Sequence, residues 1–386
     1  MERCLNIMTR RFVLCVIFLC FIGMPANAQL LDGLSIGADS ACYSDQSDKL
    51  LLRTFVMQKF NKYTLGNEGI PRNVTYRAND NYNIGFGAHY KWLGINFSFQ
   101  MPLVNSDDSK YGKTKFFDLQ SYLYLKKVAV DLFILSYKGY YLANSDILKN
   151  PPADRDYMVR SDLHTGNYGV NLQYIFNSSR FSYRAAFVQN QCQMISAGSP
   201  IVGGAIHYTR VRADSAVIPD HTLDNNFFGG HRFNKSGTFA LAINGGYAYT
   251  QVIKTNFFIT GALLLGAGAN YTALKTDATG DRDNKMSTQL HGIVRAAAGY
   301  NNEKYFIGLQ YMNFVSRNNT TVNDAWQQLQ AGNIRLTFAK RFTLKKKTIK
   351  RIEKIEDKMK EQISEKVVEP MENMGEKVIS PLKKEG

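Results

Sequence analysis

Residues 82–101, YNIGFGAHYKWLGINFSFQM, alternate large apolar side chains with small or polar ones through two consecutive runs. Ile84, Phe86, Ala88 and Tyr90 share one parity, with Gly85, Gly87 and His89 on the other. After Lys91 and Trp92 the pattern restarts, with Leu93, Ile95, Phe97 and Phe99 set against Gly94, Asn96, Ser98 and Gln100. Successive side chains of an extended chain point to opposite faces, so the stretch predicts a hairpin with one apolar and one polar face. Such a hairpin either covers a core or faces lipid, and the rest of the chain must decide which.

The pattern recurs. Phe117, Leu119, Leu123 and Leu125 oppose Asp118, Gln120, Tyr122 and Tyr124, and Val128, Val130, Leu132 and Ile134 follow a Lys126-Lys127 turn. Val170, Leu172, Tyr174 and Phe176 come next, then NSSR, then Phe181, Tyr183, Ala185 and Phe187. Phe239 to Tyr247, Phe257 to Leu265, HGIVRAAAGY, KYFIGLQYMNF and NIRLTFAKRF complete the series. No helical period appears in this region, so the fold class is all-β.

Links between these runs alternate in length. Short ones lie near Lys91, at 126–127, 177–180, 251–254 and 301–304, and longer polar ones such as PLVNSDDSKYGK and TALKTDATGDRDNK fall between them. Transmembrane barrels sort their loops this way, with short periplasmic turns and long external loops. The reading is an antiparallel transmembrane β-barrel of about 12 strands, with about 14 as the alternative. To keep the parity, residues 191–236 are placed outside as the largest loop. A soluble barrel would turn its aromatics inward, yet the charges Asp118, Asp131, Arg184, Arg295 and Arg335 recur on the polar parity and fit a polar lumen. The mean hydropathy is negative, which a barrel of alternating faces produces without leaving the membrane.

The N-terminus reads MERCLNIMTRRFVLCVIFLCFIGMPANAQL, with two arginines, a short apolar run and Ala-Asn-Ala. This predicts a signal peptide over residues 1–28, a periplasmic segment over 29–49, the barrel over 50–342 and localisation to the outer membrane. After Phe342 the chain becomes densely charged and loses its aromatics. Ile352, Ile355, Met359, Ile363 and Val367 at helical spacing predict a charged amphipathic helix within 343–386.

The segments TYRANDNYNIGFGAHYKWLGINFSF, KTKFFDLQSYLY, DLFILSYKGYYL, RFSYRAAFVQN and SAGS, in this order, resemble an uncharacterised secreted β-barrel-like family, domain-of-unknown-function family 4421. Ala78 stands where a proline is expected, and Met194-Ile195 where basic residues are commoner. The resemblance implies a barrel architecture and an envelope location; it brings no activity and no catalytic residues.

Catalytic signatures are absent: there is no Gly-x-Ser-x-Gly, His-Glu-x-x-His, Walker loop or Cys-x-x-Cys. No metal and no cofactor is implied. His89 and His291 lie on polar faces and define the alternative of a lipid- or glycolipid-modifying enzyme, but no serine partner can be named. The favoured function is non-enzymatic, with the polar cluster Asp118, Asp131, Arg184, His89, His291, Arg295 and Arg335 inside the lumen. That cluster is either a salt-bridged filling, a small-ligand site or a narrow pore. Cys42 and Cys192 are expected as thiols, because the strand assignment puts them at opposite membrane levels. The formal net charge is +15, and secretion turns that charge away from nucleic acid and toward phosphate groups of surface glycolipids. The remaining expected partners are outer-membrane lipids, the barrel assembly machinery and a periplasmic partner for the tail helix.

Overall fold

The computed structural model describes residues 41–80, 82–91, 93–101, 107–149, 157–219, 226–276 and 279–345. The signal peptide expected over 1–28 and nearly all of the helical tail expected over 343–386 lie outside the described residues.

The alternating runs become strands: β1 (Tyr43–Asp45), β2 (Leu50–Asn67), β3 (Val74–Arg77), β4 (Tyr82–Tyr90), β5 (Leu93–Gln100), β6 (Lys115–Tyr124), β7 (Val128–Leu142), β8 (Val159–Ile175), β9 (Gln191–Gln193), β10 (Ala197–Arg212), β11 (Phe233–Ile253), β12 (Phe257–Thr276), β13 (Arg282–Asn301), β14 (Tyr305–Asn319) and β15 (Ala325–Phe342). Among the described residues ten of them close an antiparallel ring, in the order β2, β3, β7, β8, β10, β11, β12, β13, β14, β15 and back to β2. The closing ladder runs without a break from Leu50↔Phe342 to Asn67↔Ala325.

The expected count of about twelve is therefore corrected to a ring of ten, because β5 and β6 pair with β4 and β7 but stand outside the ring; a second region differs in which segments cross. Phe181 to Phe187, expected as a strand, forms the short helix Tyr183–Phe187, capped by Ser182, whose hydroxyl accepts from the Ala185 N–H at 3.0 Å. The expected external loop over 191–236 instead contains β10, a barrel strand paired on both sides with β8 and β11. One strand lost and one gained cancel in parity. The turns at 125–127, 254–256 and 302–304 accordingly share one end, called here the short-turn end, as the loop lengths foretold.

Three further strands widen the wall toward that end. β3 and β4 are one strand broken by a bulge: β2 pairs with β3 from Leu65↔Val74 to Lys62↔Arg77, then with β4 from Gln58↔Tyr82 to Leu51↔His89, one residue out of step. Beyond the bulge, toward the long loops, β3 reaches β7 at Tyr76↔Leu142 and Arg77↔Tyr141. Toward the short turns β4 pairs with β5 and β7 pairs with β6, and among the described residues β5 and β6 form no ladder with each other. The fork is pinned by Asn79. Its N–H donates to Thr114 Oγ1 (2.8 Å), its amide reaches Asp107 Oδ1 (2.9 Å), and Thr114 in turn donates to Gly139 O (2.7 Å). Gly139 has φ +94°, and a Cβ there would stand 2.2 Å from Lys113 O, so this crossing of two segments requires glycine.

Inside and outside follow the parity read from the sequence. Leu241, Ile243, Leu263, Leu265, Leu290 and Leu336 are exposed, with Ile243 at 78% and Leu265 at 64%. The opposite parity is buried and largely polar, including Asn171, Gln173, Thr260, Asn270, Gln289 and Thr337. On β11 and β12 this inner face also carries Gly246 and Gly268, where a Cβ would stand 1.9 Å from Leu263 O and 1.8 Å from Leu241 O. We predict that Gly268→Val destabilises the barrel by about 1–3 kcal/mol, the usual penalty of overpacking. Urea unfolding in detergent, followed by the heat-modifiable gel shift, measures it; an unchanged midpoint would show that the strands have room to separate.

Candidate functional site

Both ends of the lumen are filled by chain. At the short-turn end, residues 176–196 fold inward between β8 and β10. Gln189, fully buried at φ +64°, is the focus. Its side-chain oxygen accepts from Arg53 (2.5 Å), and its carbonyl accepts from Arg341 Nε (3.0 Å). Arg341 also donates to Asn301 Oδ1 (2.8 Å), while the Asn301 amide reaches Gln191 O (3.0 Å). Gln310 donates to Ala186 O at 2.6 Å. β1 lies antiparallel on β9 with Tyr43 opposite Gln193, and the Tyr43 hydroxyl donates to Ser178 O (3.0 Å). The N-terminal segment thus straps the plug.

At the other end Val217 and Phe228, both fully buried, sit in one cluster with Tyr63, Tyr76, Leu163, Leu274 and Leu329 from surrounding strands. The Tyr76 hydroxyl donates to Val217 O (2.5 Å), and the Phe228 N–H donates to Asn67 Oδ1 (2.7 Å).

Between the two fillings lies a chamber with a cavity of about 60 Å³, lined by Gln120, Tyr122, Asp131, Phe133, Asn171, Arg295 and Phe314 among others. Its polar centre is the ion pair of Arg295 with Asp131. The Tyr124 hydroxyl donates to Asp131 Oδ1 (2.9 Å) and also receives an Arg295 N–H, while the Asn171 amide reaches Asp131 Oδ2 (3.3 Å). The Arg295 guanidinium lies over the rings of Tyr183 and Phe187, 5.3 and 5.9 Å from their centroids. Its Nε has no hydrogen-bond partner among the described residues.

Of the expected lumen cluster, Asp131 and Arg295 meet directly. Asp118 pairs with Lys59 (3.0 Å) and accepts from the Tyr137 hydroxyl (2.5 Å). Arg335 donates to Gln310 Oε1 (2.9 Å) and covers Phe55. His291 stacks on His207 at 5.2 Å, with Phe133 and Phe314 against the pair. His89 faces inward on β4, beside Gly94. Arg184 does not lie on a barrel strand as expected; it belongs to the plug helix and bonds Asn190 (3.2 Å). Neither ring nitrogen of His291, nor Nδ1 of His89, has a hydrogen-bond partner among the described residues, so no serine–histidine pair forms there.

Lys59, His207, Arg53 and Gln189 were missed. Lys59 and Arg53 share the inward parity of β2 with Phe55 and Asn61, a run whose alternation was available in LLLRTFVMQKFNKYTLGN. His207 was lost with β10. The thiol reading of Cys42 and Cys192 stands, but its reason does not. Ser44 pairs with Cys192 in the β1–β9 ladder, so both cysteines sit at the same end, one diagonal step apart.

The fold and the lumen define an antiparallel β-barrel with an apolar outer wall and a polar interior that chain segments enter from both ends. The chain belongs to the family described as Domain of unknown function (DUF4421), whose model matches residues 37–342. Solved structures similar to it include the translocator domain of the autotransporter NalP from Neisseria meningitidis, at 9% identity and TM-score 0.29 over 81% of this chain and 94% of that one. Ail of Yersinia pestis matches at 9% and 0.20 over 74% and 97%, and OprG of Pseudomonas aeruginosa at 10% and 0.18 over 78% and 99%. At such TM-scores nothing about the role of this chain follows from them. No curated protein matches it.

Two predictions follow from these charges. Arg295→Met leaves Asp131 buried and uncompensated, and is expected to cost about 3–5 kcal/mol in urea unfolding. Adding Asp131→Asn should restore much of that, and failure of the pair to recover would show that the arginine acts through packing alone. The second concerns the strap. Partial burial would raise the Asp45 carboxyl, but the Arg184 charge and hydrogen bonds from Ser47 (2.9 Å) and Gln191 (3.0 Å) outweigh it and hold the pKa below its ordinary value. A lowered folded pKa means that this stabilisation is fully present above the ordinary carboxyl value and disappears as pH falls through the folded one. Hydrogen exchange at β1 should accelerate below the ordinary value in the wild type and lose that acid step in Asp45→Asn.

Proposed function

We propose that the protein is a non-conducting outer-membrane barrel, a lipid-embedded shell around a sealed chamber. The observation that carries this reading is the outer wall. Tyr168, Tyr208, Phe239 and Tyr271 form a row across β8, β10, β11 and β12 by strand register. Ten residues further along β11 lies Tyr249, near the short-turn end, where Phe257 and Tyr300 also meet edge to face at 5.3 Å. At about 3.3 Å per residue and a tilt of about 40°, the two aromatic levels stand about 25 Å apart, the height of a lipid-facing band with its girdles. Leu241, Ile243, Leu263 and Leu265 occupy the interval.

In this reading the short-turn end, with its plug and strap, faces the periplasm, as the short turns there support. The same reading includes a signal peptide removed after Ala28, recognition of the last strand by the barrel assembly machinery, and a periplasmic contact for the charged tail. Interior packing supports a filled lumen over an open pore, since β-barrel interiors of this size can be occupied by side chains.

A second reading gives the chamber a ligand. It rests on the orphan Nε of Arg295 beside a cavity of about 60 Å³, room for about four waters or a polar group of that bulk. A hydrogen-bond acceptor is the chemistry that fits.

Purified barrel in planar bilayers is expected to show no steady conductance. Replacing Arg341 and Arg53 together by alanine should loosen the plug and produce flickering openings, while the heat-modifiable shift persists. Steady ion flow through the wild type would overturn the sealed-chamber reading, and turnover of lipid abolished by His291→Ala would favour an enzyme.

A further inference from the structure

The fork leaves two lips in the wall, the outer edges of β5 and β6, and hydrogen-bond phase identifies the groups on them. Met101 N–H donates to Tyr82 O at 3.0 Å, so by alternation the odd residues of β5 turn their peptide groups to β4. Leu125 N–H donates to Val128 O at 2.8 Å, which turns the odd residues of β6 to β7 in the same way. The even residues therefore carry the edges: Gly94, Asn96, Ser98 and Gln100 on β5, and the even positions from Phe116 to Tyr124 on β6. Among the described residues neither edge meets another strand.

Open strand edges are ordinarily guarded by charge, proline or a bulge. β5, LGINFSFQ, has none of these, and every residue from Gly94 to Gln100 is exposed. Its apolar parity is bare, with Phe97 at 65%, and Phe117 on β6 stands at 60%. On the inward parity the lips differ, since Asn96, Ser98 and Gln100 are open while Asp118 is engaged by Lys59 at 3.0 Å. One chain, pinned at its fork by Asn79, Thr114 and Gly139, leaves its own lips without a ladder.

Strand direction selects the partner. β5 leaves the short-turn end and β6 returns to it. Two copies of one chain inserted the same way in a membrane are related by a two-fold axis along the membrane normal. That axis preserves the direction of each strand, so β5 against β5, or β6 against β6, would be parallel and would leave the other lip open. β5 against β6 of a second copy is antiparallel, and the axis repeats the contact, so both lips of both copies close. The phase agrees as well. On both strands the even residues carry the edge groups and the inward side chains, so the ladder sets polar parity beside polar, and Phe97 and Phe99 beside Phe117 and Leu119. β5 bears no charge, so no like charges oppose each other across it.

We propose that the seam between β5 and β6 is a dimer interface, in which β5 of one copy adds antiparallel to β6 of a second copy and the two-fold axis returns the contact. The partner is another copy of this chain, held by backbone pairing as in strand addition to a sheet edge. The proposal rests on the lipid-embedded reading above and deepens it, because hydrocarbon offers no water to satisfy an open edge.

The full-length protein in lipid vesicles provides the test. Two differently tagged copies are mixed, their native cysteines replaced by serine, one carrying Phe97→Cys or Phe99→Cys and the other Phe117→Cys or Leu119→Cys. Four combinations are needed because a shift of two residues keeps the parity. Mild oxidation is expected to join the two tags in at least one of them. With both substitutions in one chain, a disulfide confined to that chain and absent between tags would show that the seam zips upon itself, and would overturn the proposal. Ser98→Pro removes an edge N–H and spares the β4 ladder, since the Ser98 N–H points away from β4. The loss of one hydrogen bond in each of the two ladders should reduce the dimer about tenfold, counted by native mass spectrometry, with the heat-modifiable shift kept. An undiminished dimer in Ser98→Pro, or a wild type that inserts and stays monomeric, would also overturn it. If Ser98→Pro fails to fold, the cross-links between tags decide. A wild type that never enters the vesicles refutes the lipid-embedded reading, and the symmetry argument with it, a result distinct from an inserted monomer.

Discussion

The ladder between β2 and β15 is the contact on which the rest of the structure depends. Inside hydrocarbon an unsatisfied peptide group costs several kcal/mol, so a sheet survives there only if its two edges meet. The first and last barrel strands do so along their whole length, from Leu50↔Phe342 to Asn67↔Ala325. Closure fixes which parity faces in. Because side chains alternate with a period of two, one slip in that ladder would turn every apolar residue of a strand into the lumen.

Closure creates a second demand. The inward parity is polar and removed from water, and buried polar groups need partners. The plug meets that need reciprocally. Its segment is mostly neither helix nor strand, so its own carbonyls lack a ladder, and wall side chains reach them: Arg341 to Gln189 O, Gln310 to Ala186 O, Asn301 to Gln191 O. Wall and plug therefore supply hydrogen-bond partners to each other. The same logic explains why the lumen charges are distributed as separate pairs. Asp131 has Arg295 and Asp118 has Lys59, each within reach of a tyrosine hydroxyl, Tyr124 for the first and Tyr137 for the second.

The sequence carried the barrel through its period of two, and the orientation of strands through loop length. It carried the inward charges too, because Asp118, Asp131, Arg295 and Arg335 interrupt apolar runs on a fixed parity. It did not carry their pairing, which depends on strands far apart in the chain: Lys59 and Asp118 are joined across the lumen side of the fork. Nor did it reveal the plug. Phe181, Tyr183, Ala185 and Phe187 alternate like a strand, and only Ser182, placed to cap Ala185 N, hinted at a helical turn. Its two parities are both buried, with Ser182, Tyr183, Ala185, Ala186 and Phe187 all enclosed, so alternation there had no exposed apolar side to report.

The fork between β3 and β4 is where these constraints conflict. A ring of ten closes the wall near the long loops, but β4, β5 and β6 stand in place of β3 near the short turns. Two edges result, one on β5 and one on β6, with no ladder between them among the described residues. Residues Asn96, Ser98 and Gln100, on the polar parity of β5, are exposed instead of buried like their counterparts on the complete strands. In the lipid-embedded reading, exposed polar side chains and open peptide edges cannot both be left to hydrocarbon, and water or another segment covers this seam. The bulges that create it are held by Asn79, Thr114 and Gly139, which bond one another and the β5–β6 link. A seam anchored in that way is a built feature of the wall: among the described residues the fold gives up one ladder, between β5 and β6, where twelve strands instead of ten stand around the plug.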